Sequence, residues 1–325
     1  MRIIRDLDSF SITEKSIEDG AVVKGAIAIG KFDGIHVGHQ ALLECIINKK
    51  RNNMQAIVFT FSPSPEEFFR GQILPAIDTV DEKREKFEKM GVDVLIEYPL
   101  TKESAAISPQ DFMQKILLEK LHAGYIVSGK DLSFGNKGLG NSQMLSEFAK
   151  ENGFQYEMID KVCIENKEIS STAVRSAILS GDMMLAGKML GREYQISGEV
   201  VHGRALGRTM QMPTINIVPS KHKLLPPSGV YATITVMDDR QIAGVTNIGY
   251  KPTVSNEMKI GVETHLFDFD EDVYGKNVIV KILHFIRPEM QFADIDQLAK
   301  QIEADCRNAG NYFKKHGFNG ETSYI

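Results

Sequence analysis

The sequence predicts two folded regions of different class: an α/β region with a parallel sheet, then a small antiparallel β-barrel closed by a C-terminal helix. Up to about Gly181, short apolar runs alternate with helical patterns, which is typical of a parallel sheet covered by helices. After about Gly187, apolar runs follow one another with only turn residues between them, and helical periodicity returns only over 293–310. We therefore expect a first domain over 1–184 and a second over 188–325.

Five apolar runs predict the strands of the first region, at 26–30, 55–61, 92–98, 125–128 and 154–159. Helix starts lie between them: Thr79 and Glu82 have capping-box spacing, and Ser108 is followed by Pro109 at the first helical position. Strands that alternate with helices predict a parallel sheet with both faces covered. Ligands of such sheets bind at the carboxyl ends of the strands.

Six further apolar runs predict the strands of the second region, at 194–201, 214–218, 229–237, 241–249, 261–269 and 277–286. Strands in such close succession indicate an antiparallel sheet or a small barrel, because parallel pairing needs long crossover connections. The helical pattern that follows predicts a C-terminal helix against it.

The composition describes a globular protein, with 42% hydrophobic and 25% charged residues. A net charge of −5 and the lack of a long basic run argue against a nucleic-acid partner. No apolar run is long enough to cross a membrane, and charged residues interrupt the short apolar pairs of the first ten residues. We expect a cytoplasmic protein with no membrane partner, present as a monomer or a weak homo-oligomer.

The stretch "KFDGIHVGHQALL" joins the first predicted strand to a helix expected to begin near Gly38 or His39. The unpaired N–H groups of that helix's first turn favour an anion such as phosphate, and Gly34 and Gly38 allow it to approach the backbone. His36 and His39, three residues apart, can both face this site. Solvated histidines near a helix start are the simpler explanation of the pair alone, but the full string Gly-x-Phe-Asp-Gly-x-His-x-Gly-His is far more restrictive.

Two later stretches suggest further phosphate contacts. In "ISSTAVR", hydroxyl groups stand at a predicted helix start and Arg175 lies one turn on, so all can face one phosphate; an ordinary Ser/Thr cap is the alternative. "GRALGRTMQMPTINI", from Gly203 to Ile217, is glycine-rich and basic, as phosphate-binding loops are, although a hairpin loop with solvated arginines has the same composition. No GxxxxGK[ST] string occurs, so a Walker-type site is excluded.

The first string resembles the HxGH signature of the nucleotidylyltransferases, and its wider form resembles the adenylyltransferase half of the bacterial bifunctional riboflavin kinase/FAD synthetase family. The resemblance implies a Rossmann-like nucleotidylyltransferase domain in which His36, His39 and Arg175 stabilise charge during adenylyl transfer. The implied ATP-binding residues are Gly30, Phe32, Asp33, Gly34, His36, Gly38, His39, Ser170, Ser171, Thr172 and Arg175.

"GKDLSFGNKGLGN" is similar to the glycine-rich loop that the family places near flavin mononucleotide (FMN), which implies flavin contacts from Asp131, Phe134 and Gly135. Leu132 replaces a common aromatic residue. Ser62 and Ser64 stand where the family usually carries Asp and His or Asn.

The second region resembles the family's riboflavin kinase half. Its loop and PTxN motif imply that ATP is bound by Gly203, Arg204, Gly207, Arg208, Pro213, Thr214 and Asn216. Thr214 and Asn216 would also hold Mg²⁺. Glu263, in "ETHLFDF", would be the catalytic base, and Asn247, Glu263 and Arg287 would contact the flavin. For Glu263 alone, a surface carboxylate on an alternating strand is the commoner case.

The resemblance implies a bifunctional enzyme that uses ATP and Mg²⁺ to convert riboflavin to FMN and then FMN to flavin adenine dinucleotide (FAD). One alternative is a single-function relative, either kinase or FAD synthetase only, which Ser62 and Ser64 keep open. A non-catalytic flavin or nucleotide sensor is another. Class I aminoacyl-tRNA synthetases also carry HIGH-type signatures, but they need a lysine-rich second signature where this chain has "ISSTAVR".

Overall fold

A computed structural model describes residues 1–7, 10, 23–164, 167–203, 213–252 and 258–317. The chain divides into two compact units, Met1–Ser171 and Thr172–Ile325. Among the described residues, no helix combines the length and the apolar character that crossing a membrane requires.

The first unit is built on a six-stranded parallel sheet in the order β1-β4-β3-β2-β5-β8, which confirms the predicted class. Its strands are β1 (Arg2–Ile4), β2 (Lys24–Ile29), β3 (Met54–Ser62), β4 (Val94–Pro99), β5 (Ala123–Gly129) and β8 (Gln155–Ile159). Two short hairpins accompany it, β6 (Ser133–Phe134) with β7 (Gly140–Asn141), and β9 (Cys163–Ile164) with β10 (Lys167–Glu168). The strand β1, which pairs with β4, was not predicted.

Helices cover both faces of this sheet, because successive residues of a strand point to opposite sides. On β2, Ile27 and Ile29 belong to one apolar core, whereas Ala26 and Ala28 belong to the other. The helices are α1 (Val37–Asn48), α2 (Pro65–Arg70), α3 (Val80–Lys89), α4 (Lys102–Ala105), α5 (Pro109–Asp111, continued as a π-helix over Phe112–Lys120) and α6 (Ser142–Asn152).

The predicted helix starts are confirmed, with one small correction. Thr79 and Glu82 form a capping box at α3, and Ser108 caps α5 with a proline at its first position. Helix α1 begins at Val37, one residue before the expected position, because the His36 side chain serves as its cap.

The second unit contains a closed, six-stranded antiparallel barrel in the order β11-β12-β15-β14-β13-β16, as predicted. The strands are β11 (Tyr194–Val201), β12 (Thr214–Ile217), β13 (Gly229–Met237), β14 (Arg240–Pro252), β15 (Met258–Leu266) and β16 (Asn277–Pro288). Helices α7 (Ser171–Leu179) and α8 (Met183–Leu190) precede it, and α9 (Ile295–Lys315) follows.

Residues of the barrel strands alternate between its interior and an outer face that α9 covers. Val230 and Ile234 of β13 pack with Ala309 and Phe313 of α9 in one apolar cluster. The intervening side chains point inward. There the buried hydroxyl groups of Thr233, Thr246 and Thr264 are hydrogen-bonded in a chain, with oxygen–oxygen distances of 2.7 and 2.8 Å.

Candidate active sites

The turn between β2 and α1 has an unusual backbone. Phe32 and Ile35 have φ values of 51° and 39°, although both carry large, buried side chains. Gly34 has a φ of 84°, and a β-carbon built there would lie 2.9 Å from Cγ2 of Ile77. Left-handed residues of this kind persist only where the surroundings enforce them, and they concentrate at functional sites. The HxGH string therefore directly follows a strained, tightly packed turn at residues 32–35, and we call residues 32–39 together the HxGH turn.

His36 caps α1 with its imidazole ring. Its Nδ1 accepts the His39 backbone N–H at 3.3 Å, so neutral His36 carries its proton on Nε2 and can donate there. The His36 and His39 rings are stacked, with centroids 3.7 Å apart and planes 16° from parallel. A β-carbon at Gly38 would lie 3.2 Å from the His36 ring. The glycine thus leaves room for the stacked pair at the helix N-terminus.

His39 is held neutral at physiological pH. Burial lowers the pKa of its imidazole well below 6.5, and the nearby charges of His36 and Lys83 lower it further. Its Nδ1 atom is buried and has no hydrogen-bond partner within the described parts of the chain. A neutral imidazole at this place can donate or accept one hydrogen bond but adds no charge of its own.

Asp33 connects the turn to two other segments. Its carboxylate accepts the backbone N–H of Ile77 at 3.1 Å, and its backbone carbonyl accepts the Ser171 hydroxyl at 2.8 Å. The structure therefore brings the first residue of "STAVR" to the HxGH turn, as the sequence motifs predict. Ser170 directly precedes α7, and Thr172 and Arg175 lie in its first and second turns.

The residues predicted to contact flavin in the first unit have clear structural roles. Phe134 is only 3% exposed and packs its ring against Phe112 at 5.3 Å. Gly135 has a φ of 69° beside Pro109. Asp131 is exposed and pairs with Lys161 at 3.0 Å. Their roles toward flavin stay predictions.

The candidate kinase site is a row of side chains across three neighbouring strands of the barrel. In the strand register Asn216 of β12 stands opposite Glu263 of β15, and Glu263 stands opposite Asn247 of β14. The Thr214 hydroxyl donates to the Glu263 carboxylate at 2.8 Å. A β-carbon at Gly203 would overlap the Asn216 amide group, so this glycine borders the same row.

The remaining kinase predictions fall on different parts of the unit. Arg287 of β16 makes a bidentate ion pair with Asp305 of α9, with a shortest distance of 2.7 Å, and both side chains are largely buried. The backbone carbonyl of Pro213 accepts a hydrogen bond from Nδ1 of His265 at 3.0 Å. Arg204, Gly207 and Arg208 lie outside the described residues.

A cavity of about 250 Å³ adjoins Thr214 in this unit. Leu266 and Phe269 give it apolar walls. Tyr274 also lines it, and its ring packs against His202 with centroids 3.7 Å apart and planes tilted by 32°.

The donor atoms at this site fit a hard cation. Within the described ranges, no group of three or more His, Cys, Asp or Glu side chains could hold a metal ion by itself. Thr214, Asn216 and Glu263 instead present hydroxyl, amide and carboxylate oxygens side by side. Mg²⁺ commonly binds to one or two such protein oxygens together with substrate phosphates. The residues present are therefore compatible with Mg²⁺ bound jointly with ATP.

The sequence analysis missed that helix α3 and the segment before it contact the HxGH turn, through Phe87 and Ile77. Asp78 and Lys86 form an ion pair at 2.8 Å, with side chains 1% and 15% exposed. Lys83 acts electrostatically on His39. Sequence spacing does not indicate these contacts, because α3 reaches the turn only through the tertiary fold.

Two family models match the chain, one in each half. The model described as FAD synthetase matches residues 20–173, and the model described as riboflavin kinase matches residues 190–313.

Relatives and a solved structure match over nearly the whole length. A Haemophilus influenzae protein is 38% identical over 292 residues, covering 89% of this chain and 94% of its own, and an Escherichia coli K12 protein is 34% identical over 316 residues, covering 96% and 98%. Both are named bifunctional riboflavin kinase/FMN adenylyltransferase. A Streptococcus pneumoniae crystal structure, described as a macrolide-efflux protein, has a TM-score of 0.82 at 28% identity and covers 95% of this chain and 98% of its own. This chain belongs to the family of bifunctional riboflavin kinase/FMN adenylyltransferases.

Proposed function

We propose that the protein catalyses two successive steps of flavin-cofactor synthesis: riboflavin and ATP give FMN and ADP, and FMN and ATP give FAD and pyrophosphate. The observation that carries the proposal is the match of two family models to separate halves of one chain, with bifunctional relatives that cover both. The same observation disfavours the alternatives of an aminoacyl-tRNA synthetase, a single-function relative and a non-catalytic sensor. The matched segments fit proposed functional domains of 1–184 and 188–325.

In the adenylyl transfer, a phosphate oxygen of FMN attacks the α-phosphorus of ATP. The new oxygen–phosphorus bond forms as the bond from the α-phosphorus to the bridging oxygen breaks, and pyrophosphate leaves with that electron pair. Since the substrate supplies the nucleophile, the protein need only position the groups and stabilise charge. The N-terminus of α1 and the Nε2–H of His36 are suited to hold the triphosphate.

The full proposed set for this site follows the motifs. ATP is held by Gly30, Phe32, Asp33, Gly34, His36, Gly38, His39, Ser170, Ser171, Thr172 and Arg175, and flavin by Asp131, Phe134 and Gly135. Within it, the hydrogen bonds of Asp33 to Ile77 and Ser171 favour a positioning role.

In the kinase reaction, Glu263 accepts the proton of the terminal ribityl hydroxyl while that oxygen attacks the γ-phosphorus and ADP leaves. The hydrogen bond from Thr214 holds the carboxylate in place. Thr214 and Asn216 would hold Mg²⁺, which when bound neutralises charge on the ATP phosphates. Asn247 and Arg287 are proposed at the flavin, and Gly203, Arg204, Gly207, Arg208 and Pro213 at ATP.

Small molecules are the proposed partners, and the cytoplasm is the proposed location, with a monomer or weak homo-oligomer as the working form. The net charge of −5 supports the lack of a nucleic-acid partner.

The purified protein, incubated with ATP, Mg²⁺ and either riboflavin or FMN, tests the proposal by chromatographic separation of the flavins. We expect riboflavin to give FMN and FMN to give FAD. Phosphorylation of riboflavin without conversion of FMN would restrict the function to the kinase and direct attention to Ser62 and Ser64. No conversion of either flavin would contradict the proposal.

A further inference from the structure

Helix α3 packs directly against the HxGH turn. The Phe87 ring of α3 meets the Phe32 ring edge-on with centroids 5.6 Å apart, and the Phe32 ring lies 5.1 Å from the His39 ring. Both phenylalanines are at most 1% exposed. One face of α3 is therefore directed at the histidine pair.

The start of α3 is held in place on the same side. The segment before the helix is tied to the turn through the hydrogen bond from Ile77 N–H to Asp33, and the buried ion pair of Asp78 with Lys86 fastens it to the helix. The capping box of Thr79 closes the first turn. The position of α3 relative to the histidines is thus determined by contacts at several points.

Lys83 lies on the face of α3 that is directed at the histidines, because it precedes Phe87 by one helical turn. Its side chain is partly buried and lies close enough to His39 for its charge to lower the pKa of that imidazole. The other two lysines of the helix have carboxylate partners, Asp78 for Lys86 and Glu85 for Lys89. The backbone N–H of Lys83 donates to the Thr79 carbonyl within the helix, but its ammonium group forms no hydrogen bond or ion pair with any residue that the structure describes.

Glu67, an acidic group on which the Lys83 charge acts, is already hydrogen-bonded. The Glu67 carboxylate accepts hydrogen bonds from the backbone and the hydroxyl of Ser64 and from Leu74 N–H. Burial acts to raise the pKa of Glu67, but the Ser64 hydrogen bonds, the one from Leu74 and the Lys83 charge lower it more. Among the described residues, the Lys83 ammonium group therefore lies near the neutral imidazole of His39 with no carboxylate within ion-pair distance.

We propose that Lys83 binds the β- and γ-phosphates of ATP at the HxGH turn and stabilises the pyrophosphate that leaves. The inference rests on the proposed adenylyltransferase function. Since the imidazole of His39 contributes no positive charge, the growing charge on the pyrophosphate favours a cation beside the turn in addition to the proposed Arg175. A lysine ammonium group is a compact point charge with three donors and is suited to an oxyanion.

The reverse reaction tests this role, because only the adenylyltransferase consumes pyrophosphate. FAD and pyrophosphate are supplied to the full-length protein, and the KM for pyrophosphate is compared among wild type, Lys83→Met, Lys83→Arg and the exposed control Lys89→Met. We expect Lys83→Met to raise this KM about 10- to 100-fold, the loss expected for one charge-assisted contact, and Lys83→Arg to recover part of it. Lys89→Met should stay within about twofold of wild type.

Riboflavin phosphorylation in the other half of the same protein reports the amount of active protein in each preparation, and it should be unchanged in all of them. Urea unfolding checks that the first unit of each variant is folded. If the wild type makes FAD but Lys83→Met and Lys89→Met have equal KM values for pyrophosphate, the role of Lys83 is contradicted and the proposed function is not. A Lys83→Arg variant as impaired as Lys83→Met would contradict a role through charge. Wild-type protein that makes no FAD would contradict the proposed function itself.

Discussion

The two candidate sites are built in opposite ways. The site of the first unit depends on the backbone: a turn with left-handed residues at Phe32, Gly34 and Ile35 presents a helix N-terminus and a stacked histidine pair. The site of the barrel depends on strand register, which aligns Asn216, Glu263 and Asn247 across three strands of ordinary geometry.

This difference determines which substitutions should disrupt each site. In the turn, an added methyl group alters the backbone on which every contact depends, whereas in the barrel a single side chain can be exchanged without moving its neighbours. The presence of both activities in one chain lets each serve as the control for the other.

The largest expected effect is that of Glu263→Gln on the kinase. The amide cannot accept the ribityl proton, so we expect FMN formation to fall about 10²- to 10⁴-fold while riboflavin affinity and FAD formation from FMN are retained. Initial rates and riboflavin titration measure this, with the exposed Glu199→Gln on β11 as the matched control. Unchanged FMN formation would exclude Glu263 as the base.

Removal of the buried partner of Arg287 should mainly affect stability. We expect Asp305→Asn to lower the free energy of unfolding by about 3–5 kcal/mol, because it leaves a largely buried guanidinium without its carboxylate. The matched control is Glu271→Gln, which breaks an equally short but half-exposed pair with Arg240 and should cost under about 1 kcal/mol. Urea unfolding compares them, and equal losses would show that burial of the Arg287 pair is unimportant.

Gly34→Ala tests how strongly the first site depends on the backbone of its turn. A β-carbon there would contact Ile77 and also strain a φ of 84°, so we expect FAD formation to fall on the order of 100-fold through misplacement of the turn. Gly91→Ala is the control, since its φ is 89° but its β-carbon would meet nothing within 4 Å. Both variants should keep their kinase activity. If both lose FAD formation equally, the effect comes from general strain and not from the turn.

The smallest effect concerns the pH dependence of stability at Glu97. Burial acts to raise the pKa of its carboxyl, but hydrogen bonds from Arg84 and Arg5 hold it below 4.5. A depressed folded-state pKa gives a stabilisation that is present above the unfolded value of about 4.5 and is lost as the pH falls through the folded value.

Glu97→Gln should therefore destabilise the first unit by about 1–2 kcal/mol near pH 7, and the difference from wild type should shrink below about pH 4.5. Denaturant unfolding at a series of pH values measures it. Glu85→Gln, in an exposed pair with Lys89, should show little effect at any pH. A difference for Glu97→Gln that grows toward acid pH would contradict the assigned direction.

Local sequence signals predicted most of the elements but not all of them. Strands such as Gly229–Met237 carry a long run of apolar and β-branched residues, and the structure has the predicted bounds. The strand Arg2–Ile4 is too short for a periodic pattern and depends on pairing with β4. Helix α8, in the segment where we expected the domain boundary, contains a glycine that weakens its helical signal.

The candidate sites were predictable to the extent that their chemistry is local. The HxGH string predicts an anion site at a helix start, yet the capping role of His36 and the approach of Lys83 depend on packing between segments distant in sequence. The motif around Glu263 is visible in the sequence. Its alignment with Asn216 is not, because β12 and β15 pair only when the barrel closes.

The chain of threonine hydroxyls inside the barrel also bears on how the kinase site can go wrong. Thr264 follows Glu263 directly, so a slip of β15 by one residue would turn the carboxylate into the closed interior and Thr264 out to the surface. Such a misaligned barrel would bury a charge with no partner and leave Thr246 without its hydrogen bond from β15. The register that presents Glu263 at the kinase site is therefore the same register that satisfies the threonine hydroxyls of the interior, so the interior of the barrel stabilises the alignment of the site.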